Sequence, residues 1–253
     1  METTKKTQVV GIKNAGIVII CCFIIAVCIY HFLLGNPSNF MNNDPNNHPL
    51  NMLGTIYKGG IIVPIIQTLL LTVLALSIER YFALRSAFGK GSLSKFVANI
   101  KDALAAGDMK KAQEICDKQR GSVANVVTST LRKYEEMEKN TSLPKEQKLL
   151  AIQKELEEAT ALEMPMMQQN LPIIATITTL GTLMGLLGTV IGMIRSFAAL
   201  SAGGGADSMA LSQGISEALI NTAFGILTGA LAVISYNYYT NKIDKLTYGL
   251  DEV

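Results

Sequence analysis

Two threonines, a glutamate and an arginine carry what chemistry this sequence offers, and all four stand in or beside apolar runs. Thr189 lies in the run 171–194, and Thr222 lies in the run 218–239. Read as helices, the two runs are antiparallel arms around a turn centred near Ala206. Thr189 and Thr222 are nearly equidistant from that centre, which puts their hydroxyls at one depth. The same count sets Arg195 level with Glu217. A carboxylate in a membrane segment is costly, about 2.5–3.5 kcal/mol at the bilayer centre and less near its edge, and such groups mark ion pathways or paired charges. Glu217 therefore has two readings, an ion pair with Arg195 or a place in an ion pathway or partner contact, and the two are compatible. If several copies surround an axis, the threonines form a ring of hydroxyls there. Hydroxyls order water but do not take up and release protons near neutral pH. No Asp, Glu, His or Lys occupies the middle of any apolar run, so proton conduction would need a titrating group from another chain.

The elements that position these residues are marked by glycine. Gly181, Gly185, Gly188 and Gly192 recur at spacings of four, three and four, one smooth stripe on a helix. The last run repeats the device with Gly214, Ala218, Asn221, Gly225, Gly229 and Ala232. In lipid, apolar contact supplies no drive for association, and small residues let helix backbones approach closely. The stripes predict tight helix packing, and packing of copies of the chain through Gly185, Gly188, Gly192, Gly225 and Gly229. The other threonines of these runs, at 176, 178, 179, 182 and 228, are explained by bonds back to their own helix.

Four apolar blocks are long enough to span a bilayer, which takes roughly 17–25 residues as a helix. They are 14–34, 59–78, 171–194 and 218–239, separated most widely by a charged region, 79–169. Hydrophobic residues make up 49% of the 253 residues and charged ones 17%, and the net charge of +2 gives no basis for nucleic-acid binding. The four cysteines show no CxxC or Cys/His ligand spacing, which disfavours a disulfide framework or a zinc site, and His31 and His48 read as isolated loop residues. The first block is long for a cleaved signal segment and reads as a retained helix. Basic residues set the orientation. Lys5, Lys6 and Lys13 precede the first block, Arg80, Arg85, Lys90 and Lys95 follow the second, and Lys242 and Lys245 follow the fourth, while 35–57 and 201–216 contain none. The resulting plan is an all-α multi-span bundle with a helical cytoplasmic region, assembled as a homo-oligomer in the membrane lipid. Residues 1–34 are a cytoplasmic N-terminus and first transmembrane helix, 35–58 an external loop, 59–80 a transmembrane helix and 81–170 the cytoplasmic region. Residues 171–200 and 214–241 are transmembrane helices around an external loop at 201–213, and 242–253 is a cytoplasmic tail. Tyr236, Tyr238 and Tyr239 form an aromatic belt at the inner interface.

The central region reads as helices throughout. Leu93–Ala106 ends at Gly107, Asp108 caps a helix to Gln119, Gly121 breaks the chain before Val123–Glu138, and Pro144 opens a long helix. That last helix carries Leu149, Ile152, Leu156, Ala159 and Leu162 on one face, and Pro165 and Pro172 are expected to kink or break it at the membrane surface. No strand pattern is visible.

At the residues GLLGTVIGMIRSF, followed by GISEALINTAFGILTGALAVISYNYY, the sequence resembles the ExbB/TolQ/MotA family, its ExbB branch most closely. SIERYFALR is similar to the point where the family's first helix leaves the membrane, and the resemblance covers about residues 59–239. It implies an inner-membrane pentamer surrounding the transmembrane helices of an ExbD dimer, whose aspartate would supply the missing titrating group. Such a complex uses the proton motive force to energise TonB and nutrient import through outer-membrane receptors. One charge crossing 100 mV yields about 2.3 kcal/mol. By motif position Thr189 and Thr222 would line the channel, and Glu217 is the family's glutamate at the head of the last helix. Three spans are usual in ExbB and TolQ, whereas four spans around a large cytoplasmic region also describe MotA. A membrane enzyme is disfavoured, since the sequence has no nucleophile with a base, no metal cluster, no phosphate loop and no cofactor motif. A non-conducting scaffold accounts for the glycines and leaves the level threonines without a role.

Overall fold

The computed structural model describes residues 11–12, 14–202 and 208–251. Lys5, Lys6 and Lys13, on which the N-terminal orientation rests, and the hairpin centre near Ala206 lie outside the described residues. Among the described residues the chain is helical, with one isolated antiparallel bridge, Phe40 to Pro49, and no strand. It divides into two compact units, one drawn from Lys13–Ser77 and Asn170–Asn237, the other from Met1–Ile12, Ile78–Gln169 and Tyr238–Val253.

The first unit holds the apolar helices. Helix α1, Ala15–Cys28, starts where the Asn14 side chain accepts from the Gly16 amide, and it runs on as a wider π turn, Ile29–Leu34. His31 thus lies in a helical turn and not in a loop, because the apolar run continues through it to Leu34. The Asn- and Pro-rich segment that follows is folded by its own amides. Asn39 donates to the Leu33 and Leu34 carbonyls at 2.8 and 3.0 Å, and Asn51 donates to Asn39 at 2.9 Å. Asn51 also caps the short helix α2, Met52–Tyr57. Helix α3, Ile62–Phe88, follows a tight turn at Gly60, whose φ of +73° suits glycine. Helix α8, Leu171–Ala202, and helix α9, Ser208–Asp251, complete the unit. Helix occupies most of 201–213, the stretch expected to be a loop, with 203–207 outside the described residues. Four helical runs, Ala15–Leu34, Ile62–Ala105, Lys145–Ala198 and Leu211–Leu250, are long and apolar enough to cross a membrane. Their exposed Ile20, Ile24, Leu74, Leu186, Ile226 and Ile234 present hydrocarbon outward, as a lipid solvent requires.

The second unit contains α4, Leu93–Ala105, α5, Met109–Gln119, α6, Ser122–Lys139, and α7, Lys145–Gln168, together with the ends of α3 and α9. Its core is Phe96, Val97 and Ile100 of α4, Ala112 and Cys116 of α5, and Val123, Val126 and Val127 of α6. Gly107, at φ +69°, ends α4, and the Asp108 carboxylate accepts from the Lys111 amide at 3.0 Å to cap α5. The stripe on α7 is only partly used. Ala159 is buried and Ile152 and Leu156 are half-buried, but Leu149 and Leu162 are exposed.

Pro165 does not end α7, which continues to Gln168. The break falls at Gln169 and Asn170, the latter at φ +66°. Pro172 is the second residue of α8, where a missing amide proton costs no hydrogen bond. The carbonyls of a helix's last turn lack intrahelical partners. Here Arg80, fully buried, donates to the Met166 and Met167 carbonyls at 3.1 and 3.3 Å while paired with Glu79. Glu79 in turn accepts from the Ile12 amide at 3.0 Å.

Candidate functional site

The α8–α9 hairpin is built on contact between backbones. A Cβ on Gly185 would lie 3.0 Å from Gly225 Cα, and one on Gly192 would lie 2.8 Å from the Gly214 carbonyl oxygen. One on Gly181 would lie 3.2 Å from the Gly229 nitrogen, one on Gly188 2.8 Å from Asn221 Cγ, and one on Gly229 2.7 Å from Thr182 Oγ1. Every one of these neighbours belongs to the opposite arm of the same chain. The tight helix packing expected of the stripes is thus made within one hairpin, whose antiparallel register places the two small-residue stripes face to face.

That approach brings the predicted polar residues together. Thr189 and Thr222, both half-buried, hydrogen-bond directly through their hydroxyls. Each also reaches a backbone carbonyl, Thr189 to Gly185 at 3.2 Å and Thr222 to Ala218 at 3.2 Å. Two hydroxyl protons serve these three bonds, so one is unmade at any moment, and the pair can reorient by rotating its hydroxyls. Beside it on α8 is an open apolar groove of about 510 Å³ lined by Leu186, Thr189, Val190, Met193, Ile194 and Phe197. Arg195 Nη1 donates to Glu217 Oε1 at 2.5 Å. The pair is asymmetric: the Glu217 side chain is 9% exposed and that of Arg195 is 53% exposed.

Other residues that position this site were not singled out from sequence. Asn221, a member of the stripe and of the polar turn that follows Glu217, is a fully buried amide that donates to the Gly59 carbonyl at 2.8 Å. Its spacing of four from Glu217, inside an apolar run, was the available signal. Ser196, also fully buried, is within bonding distance of carbonyls on both arms, Gly192 at 3.0 Å and Leu211 at 3.3 Å. Lys58 donates to the Asn46 carbonyl at 3.0 Å, and burial lowers its pKa against the opposing pull of Asp44 and Glu217.

A glycine-packed hairpin with a hydroxyl pair at its seam, among described residues that include four membrane-length helices, is the architecture of a multi-pass membrane protein. The MotA/TolQ/ExbB proton channel family model matches residues 119–252. The chain belongs to that family and is a multi-pass membrane protein. A protein of Synechocystis named as ExbB-like biopolymer transport protein 1 is 31% identical over 73% of this chain and 69% of its own length. An ExbB homologue of Methanothermobacter thermautotrophicus is 26% identical over 77% of this chain and 66% of its own. The Tol-Pal system protein TolQ of Pseudomonas aeruginosa is 24% identical over 72% and 81%. A further ExbB-like protein of Synechocystis is 36% identical but is spanned over only 41% of its length.

Proposed function

We propose that this chain is the channel-forming motor subunit of an ExbB-type complex, coupling the proton motive force of an inner membrane to energised outer-membrane import. The observation that carries the proposal is the Thr189–Thr222 hydroxyl pair, held at the glycine seam and bordered by an apolar groove. The groove suits an apolar helix of a partner. An ExbD-like partner with a transmembrane aspartate would bring the titrating carboxylate beside the hydroxyls, which hold water for proton transfer to and from it. Glu217, paired with Arg195, then stands at the mouth of the pathway. Copies of the chain surround the partner, five in the family's pattern, and a TonB-like protein receives the work. Both termini and the α4–α7 helices lie in the cytoplasm.

The test is the double substitution Thr189→Val with Thr222→Val, which keeps volume and removes both hydroxyls. The chain is reconstituted with its co-purified partners and proton flux is measured. Assembly should persist while flux falls. Flux at the unmodified rate would make the hydroxyls packing groups, and no flux in the unmodified complex would favour a scaffold.

A TolQ-type role in envelope maintenance is the second reading, favoured by the match over 81% of the Pseudomonas TolQ. Identification of the co-purified partners separates the two, since TolR and TolA, or ExbD and TonB, would be recovered. Four membrane-length helices also leave a MotA-like stator as an alternative, with a MotB-like partner expected.

A further inference from the structure

The first membrane helix and the Asn-rich segment after it lie outside the residues matched by the family model, and the structure gives them a place. Leu34, Ile56 and Val63 form a buried cluster against which Tyr30 and Tyr57 pack from one side and Ile220 and Phe224 of α9 from the other. The Tyr30 hydroxyl donates to the Tyr57 carbonyl at 3.2 Å, and the two rings stack at 4.7 Å. This cluster sets the Gly59–Gly60 turn against the Glu217 end of the hairpin. A Cβ on Gly60 would sit 3.1 Å from Arg195 Nη1 and still closer to Glu217 Oε1, so only a glycine lets the chain pass so near the ion pair. Asn221 ties the turn down through its bond to the Gly59 carbonyl, and Gly188 leaves the room that the Asn221 side chain fills. The amide's orientation is fixed, because only its nitrogen can donate to Gly59. Its oxygen is buried and has no hydrogen-bond partner among the described residues, and it lies 3.1 Å from where a Gly59 Cβ would be. A buried amide oxygen left unpaired is costly. An apolar residue here would free that oxygen from burial but leave the buried Gly59 carbonyl without its donor, so the amide's worth at this position lies in holding the turn.

We propose that residues 14–61 form a cover over the Glu217 end of the α8–α9 hairpin, and that Asn221 is the positioning residue that holds it closed. Resting on the proposed channel function, the cover limits entry of water and protons to Glu217, and the unpaired Asn221 oxygen, one turn further along α9, is an acceptor for a water that passes it. Loss of the Asn221 bond loosens the turn without touching the hydroxyl pair.

The experiment compares the full chain with Asn221→Ala in lipid nanodiscs and vesicles, with helix content checked by circular dichroism. Amide hydrogen exchange is followed across residues 54–63 and, as a control, across 178–190. One net hydrogen bond corresponds to a change of about fivefold in opening. Exchange at 54–63 should rise by about that factor in Asn221→Ala while 178–190 is unchanged, and proton flux with the co-purified partners should rise. Leu34→Ala loosens the same cover from outside α8 and α9 and should give both changes, which keeps the test decisive if Asn221→Ala does not fold. Unchanged exchange at 54–63 in a folded variant overturns the cover. Faster exchange with unaltered flux, where the unmodified complex conducts, overturns its role at the pathway. Faster exchange with no flux in any chain leaves the cover standing and removes the channel function instead.

Discussion

The glycine seam makes a graded prediction. Replacing a helical Gly by Ala gains about 0.8–1.0 kcal/mol of helix propensity and adds one methyl group to the contact. At Gly181 that methyl meets its nearest neighbours at 3.2 Å, a tight contact that a few tenths of an ångström of relaxation removes. Gly181→Ala should therefore be close to neutral. At Gly188 the methyl falls within 2.8 Å of Asn221 Cγ and 2.9 Å of its nitrogen, and closer to its Cβ, an atom fixed to the backbone of α9. Asn221 cannot give way without losing its 2.8 Å bond to the Gly59 carbonyl. Overpacking costs about 1–3 kcal/mol, and a lost hydrogen bond about 0.5–1.5 kcal/mol. Less the propensity gain, Gly188→Ala should destabilise by about 2 kcal/mol, a roughly thirtyfold change in the folding equilibrium. The assay is SDS unfolding of the purified chain followed by circular dichroism at two widely separated protein concentrations. Because the contact lies within one hairpin, the loss should not depend on concentration. Equal stabilities for the two variants, or a difference that vanishes on dilution, would refute the intrachain seam.

Three further outcomes follow from other contacts. Arg195→Gln should cost more than Glu217→Gln, about 1–3 kcal/mol, because it strands the 9% exposed carboxylate while the 53% exposed guanidinium can hydrate alone; a double-mutant cycle scoring stability and flux measures this. Arg80→Met should raise amide exchange at 168–174, since it uncaps the Met166 and Met167 carbonyls and leaves Glu79 without its guanidinium, and unaltered exchange there would deny Arg80 its capping role. Burial pushes the Cys116 thiol up from 9.0 to about 11, so alkylation of the native chain at neutral pH should be slow. The unfolded thiol ionises first as pH rises, so Cys116 should lower stability between 9.0 and about 11, and Cys116→Ala should remove that part of the pH dependence.

Much of the site was legible because helical periodicity and membrane thickness are stringent rulers. Counting outward from a turn set Thr189 level with Thr222 and Arg195 level with Glu217, and both pairs are bonded. What counting along one helix does not give is the rotation of its face. The glycine stripe is therefore legible while its neighbour is not, since a smooth face serves a second copy or the chain's own next helix equally well. Asn221 was passed over for a similar reason: its partner, the Gly59 carbonyl, is a main-chain group that no side-chain pattern marks. The break after α7 falls between the two prolines that signal it, but the residue that takes a positive φ, Asn170, and the group that caps the end, Arg80, far off in sequence, are marked by no proline.

The intrachain use of glycine constrains how copies can meet. Once Gly181, Gly185, Gly188, Gly192, Gly225 and Gly229 are occupied within the hairpin, the faces of α8 and α9 left outward are large and apolar. They carry Leu183, Leu186, Leu187, Val190, Ile194 and Phe197 on α8, and Leu219, Ile226, Leu227 and Val233 on α9. Lipid tails contact such side chains almost as well as another helix does, so these faces supply little drive to assemble by themselves. Shape matching along the α8 groove, and polar contacts outside the hydrocarbon, must then set which helices pack together. A partner helix that fills the groove beside Thr189 adds both a fitted apolar surface and a polar group at the hydroxyls. The half-buried Thr189 hydroxyl, at the edge of that groove, is where a hairpin already closed on itself still offers a polar group to a helix laid against it.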